Sequence, residues 1–238
     1  MKERDQSVNN QLQEILAGYE IPGVTDETYE DARLHEDIGF ARYAHKYLVK
    51  PIAHYGSSKI LRREILNAIG DVEDKVVTDV SVGDDMTIFE IASKAKHVYA
   101  NDISLHVMVP VIQANTQDNI TFSSENLLNL ELPVADIVIC KNTLHHMNTV
   151  NQIGDVLGKL KELGKKVVIM DVEDPKLTVR ARLWNAYYIF MLKDQGGFFI
   201  NFDQFSKVIN VTFDDYEIST RKIKTIKGFY MLAVAQRD

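Results

Sequence analysis

The chain has 238 residues, 34 acidic against 27 basic, for a formal net charge of −7, and that length allows a sizeable core in one α/β domain with a helical extension. The acidic balance, with no Lys/Arg run, argues against a nucleic-acid or other polyanionic partner. One cysteine, Cys140, excludes an internal disulfide, and the start MKERDQ and the lack of a long apolar run predict a soluble, cytoplasmic protein with no membrane partner.

Residues 1–70 read as helices, roughly 5–18, 30–49 and 57–69, broken by IPGV and KPIAHYG. They are expected to form an N-terminal cap ahead of a main domain over 71–238. Ser57 and Ser58 are candidate caps of the last helix. Phe40, Tyr43, Ala44 and Tyr47 recur at helical spacing and make one aromatic face, which either packs on the main domain or forms a lid.

The stretch KVVTDVSVGDDMTIFEIASKAKHVYANDIS, residues 75–104, reads as strand, turn, helix, strand. Its first apolar run, Val76 to Val82, is rich in β-branched residues, as in a strand buried on both faces of a parallel sheet. A turn follows at Gly83, then a helix over 86–95 and a second strand over 97–103. Asp102 lies 19 residues past Gly83. At that separation a carboxylate at the tip of the second strand can accept hydrogen bonds from ribose hydroxyls. Leu105 to Gln117 is the next crossover helix, which Pro110 either kinks or delays. Ile120 to Ser123 is a short third strand, followed by Ser124, Glu125 and Asn126.

Ala135 to Cys140 is an apolar central strand, and KNTLHHMNTV follows it. Adjacent histidines on a helix point about 100° apart, so at most one of His145 and His146 faces a cleft. They are also poorly placed to share a metal ion, and no metal is assigned. Either can serve as general base near neutral pH or simply hydrogen-bond locally. A helix over 154–163 and a strand over 165–171 come next. Residues 178–194 form a helix dense in Trp184, Tyr187, Tyr188, Phe190 and Met191, read as acceptor wall, dimer face or ordinary core. The chain ends in an alternating hairpin with Gly228 near its turn.

Asp79, Ser81, Gly83 and Asp85 resemble the acid-x-Gly-x-Gly-x-Gly first motif of the class I S-adenosylmethionine-dependent methyltransferases, and KNTLHHMNTV resembles their fourth. The dinucleotide pattern G-x-G-x-x-G fits worse, since Ser81 and Met86 fill its first and third places. Only the middle glycine of the methyltransferase motif is kept. Asp85 puts a charged side chain where the family lets the methionine end of the cofactor meet bare backbone. The resemblance implies a doubly wound, mostly parallel seven-stranded sheet with a C-terminal antiparallel hairpin. It implies S-adenosyl-L-methionine held by Asp79, Ser81, Gly83, Asp102 and Ile103, with Glu125 at the adenine amino group and Asn126 along the ring. It sets Lys141 and Asn142 beside the sulfonium, His146, and less so His145, near the acceptor, and Tyr43 or Tyr55 near the methionine carboxylate or the acceptor.

The implied activity is methylation of a small molecule on oxygen, nitrogen or carbon. Asn142 is followed by Thr143 and Leu144 and not by the Pro-Pro-aromatic of enzymes that methylate nucleic-acid bases. Two alternatives stay open: a degenerate binding or partner subunit, and an enzyme that uses the same cofactor for cyclisation or elimination.

Overall fold

The computed structural model describes residues 2–17, 57–192 and 198–237. One sheet holds seven strands in the order β3-β2-β1-β4-β5-β7-β6. They are β1 (Val76–Asp79), β2 (His97–Asn101), β3 (Ile120–Ser123), β4 (Ala135–Lys141), β5 (Gly164–Val172), β6 (Glu217–Thr225) and β7 (Gly228–Gln236). The first five pair in parallel, and β7 runs antiparallel to β5 and β6, as the alternating C-terminal sequence predicts. Among the described residues the helices are α1 (Lys2–Ile15), α2 (Lys59–Ile69), α3 (Thr87–Ala92), α4 (Leu105–Ala114), α5 (Val150–Leu163), α6 (Val179–Leu192) and α7 (Phe202–Thr212).

β4 shows why the sheet is covered twice. Successive side chains of a strand point to opposite faces. Ile137 and Ile139 enter a core with α2, α3 and α4, while Val138 and Cys140 enter a second core with α1, α5 and α7. The two described helices of the N-terminal region therefore lie on opposite faces of the sheet. The helix expected over 30–49, with Tyr43 in it, and Tyr55 lie outside the described residues.

Several boundaries differ from the sequence expectation for local reasons. β1 stops at Asp79 because the Ser81 N–H donates back to Asp79 Oδ1 at 3.1 Å and turns the chain. α3 ends at Ala92, next to Ser93, whose hydroxyl donates to the Glu90 carbonyl. α4 starts at Leu105 and keeps Pro110 inside, so the proline does not delay it. Ser58 has helical backbone angles and makes no side-chain cap bond, so the capping role expected of it is not realised.

The sheet's strand order reverses between β1 and β4: the chain works outward from β1 to β3 on one side and from β4 to β5 on the other. Open α/β sheets bind ligands at the carboxyl ends of the strands at such a switch point. Val80 to Asp85 and Lys141 to Thr143 emerge there.

Candidate active site

A cleft of about 490 Å³ opens at this point, within the usual range for small-molecule sites. Ser58, just before α2, and Leu61 and Arg62 of its first turn contribute, and the segments that follow β1, β2, β3 and β4 supply most of the rest. Of the residues singled out in the sequence, Ser81, Gly83, Asp102, Ile103, Glu125 and Asn126 line it, as do Lys141, Asn142 and His146. Asp79 and His145 do not.

Gly83 sits at φ +56°, in the left-handed region that glycine enters without strain. Its N–H donates to Asp102 Oδ2 at 2.8 Å, and the Ser104 N–H donates to Asp102 Oδ1 at 2.9 Å. One carboxylate at the tip of β2 thus ties the β1–α3 turn to the start of α4. A Cβ added at Gly83 would lie 3.9 Å from Asp102 Oδ2, so the side-chain-free bend and the acid face the same space.

Asp85, which breaks the glycine pattern, is held by two groups. Its Oδ1 accepts the Thr87 N–H at 2.9 Å and the Thr87 hydroxyl at 2.5 Å, closing the first turn of α3. Its Oδ2 lies 2.8 Å from Lys141 Nζ, and the same ammonium lies 2.8 Å from Asp79 Oδ2. Lys141 and Asp79 are buried, whereas the Asp85 side chain is 39% exposed. Burial alone would push the Lys141 ammonium down, but the two carboxylates outweigh it and hold the group well above the ordinary lysine value. Burial likewise works to raise Asp85, and Lys141 and Thr87 overcome it and hold the carboxyl well below the ordinary range. Asp79 is almost fully enclosed, and there burial outweighs Lys141 and raises the carboxyl. Ser81 closes the arrangement by accepting the Lys141 backbone N–H on its hydroxyl at 2.7 Å.

At the other end of the cleft, Asn101 links β2 to the segment after β3. Its amide donates to the Glu125 carbonyl at 3.0 Å, and its oxygen accepts the Glu125 N–H at 3.0 Å and the Ser123 hydroxyl at 2.8 Å. Glu125 is exposed, and the Asn126 side chain accepts the Leu128 N–H at 3.0 Å. The sequence reading gave Asn101, Arg62 and Met170 no part in the cleft. The polar residue closing the strand HVYAN is the one signal for Asn101.

The two histidines lie on a 3₁₀ turn, Leu144–His146, with their rings in contact, and His146 of the pair lines the cleft. His145 is buried: its Nδ1 lies 2.6 Å from Asp171 Oδ1, and its backbone N–H donates to Asp171 Oδ2 at 3.2 Å. Its ring stacks on Phe199 at 5.5 Å between centroids, with the His146 ring 4.0 Å away on the histidine pair's own contact. His145 therefore holds the turn, and His146 is the histidine that reaches the cleft. Trp184, Tyr187 and Tyr188 of α6 line no part of the cleft; they pack edge-on or tilted against one another.

No family model and no curated protein matches the sequence. Solved structures do match. Magnesium protoporphyrin IX methyltransferase from Synechocystis with bound S-adenosylhomocysteine is 17% identical, covering 88% of this chain and 99% of that one, at a TM-score of 0.67. An N-methyltransferase from Bradyrhizobium japonicum in complex with S-adenosylhomocysteine is 13% identical over 88% of this chain and 98% of that one, at 0.57. Human N-acetylserotonin methyltransferase in complex with S-adenosylmethionine is 14% identical over 97% of this chain and 66% of that one, at 0.59. With the strand order and the antiparallel hairpin, these likenesses show that the chain has the fold of the class I S-adenosylmethionine-dependent methyltransferases.

Proposed function

We propose that the protein is an S-adenosylmethionine-dependent methyltransferase acting on a small molecule, at an oxygen, nitrogen or carbon. The observation that carries the reading is the bare bend at Gly83 fixed on Asp102 inside a cleft at the sheet's switch point. The solved neighbours with this cofactor or its product support it.

The residues present fit the cofactor. Asp102 and the Gly83 backbone would hold the ribose and the methionine side, Glu125 the adenine amino group, and Leu127 and Asn126 the ring. Asp85 does not plug the site with a free charge, because Thr87 and Lys141 draw its carboxylate toward the protein. The cofactor supplies a methyl group already activated on sulfur, so the chain's own work is alignment and exclusion of water. His146 is placed to accept a proton from an acceptor hydroxyl or amine. Asp171 and His145 keep its turn in position. The buried free thiol of Cys140 agrees with the cytoplasm as the site of action.

Isothermal calorimetry tests the reading directly. The intact chain binds S-adenosylmethionine and S-adenosylhomocysteine, and Asp102→Ala weakens both. No binding to the unaltered chain would remove the proposal. A second reading, a binding subunit without turnover, is favoured by the side chain at Asp85. It predicts that Asp85→Gly, which reopens the turn and leaves the Lys141 ammonium paired with Asp79, creates cofactor affinity where the unaltered chain has none.

A further inference from the structure

The ion pair between Asp85 and Lys141 keeps hydrogen-bonding capacity in hand. A carboxylate offers about four lone-pair positions, and an ammonium offers three donors. Asp85 accepts the Thr87 N–H and hydroxyl on Oδ1 and Lys141 on Oδ2. Lys141 gives one donor to Asp85 and one to Asp79. Among the described residues, that leaves an accepting position on Asp85 Oδ2 and one N–H on Lys141, and both residues line the cleft. Burial opposes charge on each, but the opposite charges of the cluster outweigh it. Asp85 is held below the ordinary carboxylate range and Lys141 above the ordinary lysine value, so both are ionised at neutral pH.

Their place on the sheet says which part of a ligand they would meet. Glu125 and Asn126, which fit the adenine, follow β3, and Asp102, which fits the ribose, follows β2. Next in the sheet come β1 and then β4, each a step of about 4.8 Å. Asp85 lies in the turn after β1, and Lys141 is the last residue of β4. A ligand that runs from adenine through ribose along this edge brings its amino-acid portion to that pair. The portion is a zwitterion, with an ammonium and a carboxylate on one carbon. A single charge in the cleft would suit one of these groups and repel the other. A carboxylate 2.8 Å from an ammonium presents opposite charges at a similarly close spacing.

We propose that the Asp85–Lys141 pair is the receptor for the zwitterionic end of the cofactor, with Asp85 Oδ2 accepting from the α-ammonium and the remaining Lys141 N–H donating to the α-carboxylate. The inference rests on the proposed function and deepens it: the side chain that breaks the glycine pattern becomes a binding group and not an obstruction. Hydrogen bonds of this kind, with both partners charged, are stronger than neutral ones. Arg62 is the other cation lining the cleft among the described residues, and its guanidinium is engaged by Glu90 of α3.

Calorimetry on the full chain with three ligands is the test. S-adenosylhomocysteine carries the whole zwitterion, decarboxylated S-adenosylhomocysteine keeps only the ammonium, and methylthioadenosine has neither. The unaltered chain should bind them with affinity falling in that order, about 10- to 100-fold per step, the worth of one hydrogen bond to a charged group. Asp85→Asn should lower the affinity of the first two by about 10- to 100-fold. It should leave methylthioadenosine binding unchanged, which also reports that the variant keeps its fold and its adenosine site. An equal loss for all three ligands, or no loss, overturns the proposal and leaves the pair a brace of the turn. Tighter binding of S-adenosylhomocysteine by Asp85→Asn overturns it as well, and marks the side chain as an obstruction. Discrimination among the ligands that Arg62→Gln abolishes and Asp85→Asn preserves overturns it in favour of Arg62. Equal affinity of the unaltered chain for all three ligands fails this inference alone, whereas binding of none of them fails the proposed function and this inference with it.

Discussion

Lys141 Nζ stands 2.8 Å from Asp85 Oδ2, joining the end of β4 to the first turn of α3 across 56 residues of sequence. Since the same ammonium also meets Asp79, the sheet's switch point is held by a three-member ion cluster in which Lys141 and Asp79 are buried. Such a cluster adds little net stability when whole and costs much when broken. Lys141→Met should therefore destabilise the chain by about 3–5 kcal/mol, because it leaves the enclosed Asp79 carboxylate without its cation. Urea denaturation measures it. A loss under about 1 kcal/mol would mean that Asp79 is satisfied in some other way.

The cluster also sets a pH dependence. Asp85 has its carboxyl lowered in the fold, so its contribution is present above the ordinary aspartate value of 3.8 and is lost as pH falls through the folded value. Lys141 is raised, so its contribution is complete below the ordinary lysine value of 10.5 and disappears as pH rises through the folded value. Asp79 acts in the opposite direction, because its raised carboxyl favours the fold at low pH and opposes it once ionised. In Asp85→Asn the acid limb of a stability–pH curve, read from urea midpoints, should flatten below pH 3.8. An acid limb unchanged by that substitution would place the titrating group elsewhere.

These relationships mark where the sequence was legible. The strands were readable because burial on both faces leaves long β-branched runs, and the tie between Gly83 and Asp102 was readable because one βαβ unit fixes their spacing. Lys141 lines the cleft, and the sequence does not announce that its ammonium is engaged by Asp79 and Asp85. Nothing periodic connects residue 85 to residue 141, so the pairing exists only once β1 and β4 lie side by side. Asn101 escaped for the same reason, since its partners sit 22 and 24 residues away, at the end of β3 and just beyond it. The two histidines could be separated in principle, but only Asp171, at the end of β5, decides which one is buried.

That separation predicts different phenotypes. His145→Ala leaves the buried Asp171 carboxylate without its imidazole and should cost about 3–5 kcal/mol of stability. His146→Ala should leave the unfolding midpoint and cofactor affinity close to those of the unaltered chain. It should lower turnover by about 10²–10⁴ for an acceptor that must lose a proton. Measuring Tm, calorimetric Kd and product formation for both variants separates the roles. A His146→Ala chain with full turnover would dismiss it as the base.

Cys140 reports on opening of the core. Its side chain is 1% exposed, and burial pushes the thiol up to about 12. The thiolate is the reacting form, so the folded chain at neutral pH should be inert to thiol reagents. Complete labelling is expected in denaturant, at a rate in native buffer set by unfolding. Rapid labelling of the folded chain would show that the end of β4 opens locally.

Asp102 accepts one backbone N–H on each carboxylate oxygen, from Gly83 and from Ser104. An asparagine has only one accepting oxygen, so Asp102→Asn must abandon one of these donors or turn an amide N–H against it. The structural loss should be about 1–2 kcal/mol, the penalty of a partly buried donor left without a partner. Gly83→Ala attacks the same relationship from the other side: the bend at φ +56° costs an alanine about 1–2 kcal/mol, while the Asp102 side chain itself is unchanged. If Asp102 serves only to brace the turn, the two variants lose stability alike and lose cofactor affinity alike. If it also receives the ribose hydroxyls, Asp102→Asn weakens S-adenosylhomocysteine binding well beyond Gly83→Ala at matched stability. Equal losses of affinity, measured by calorimetry on both variants, would leave the carboxylate a purely structural part.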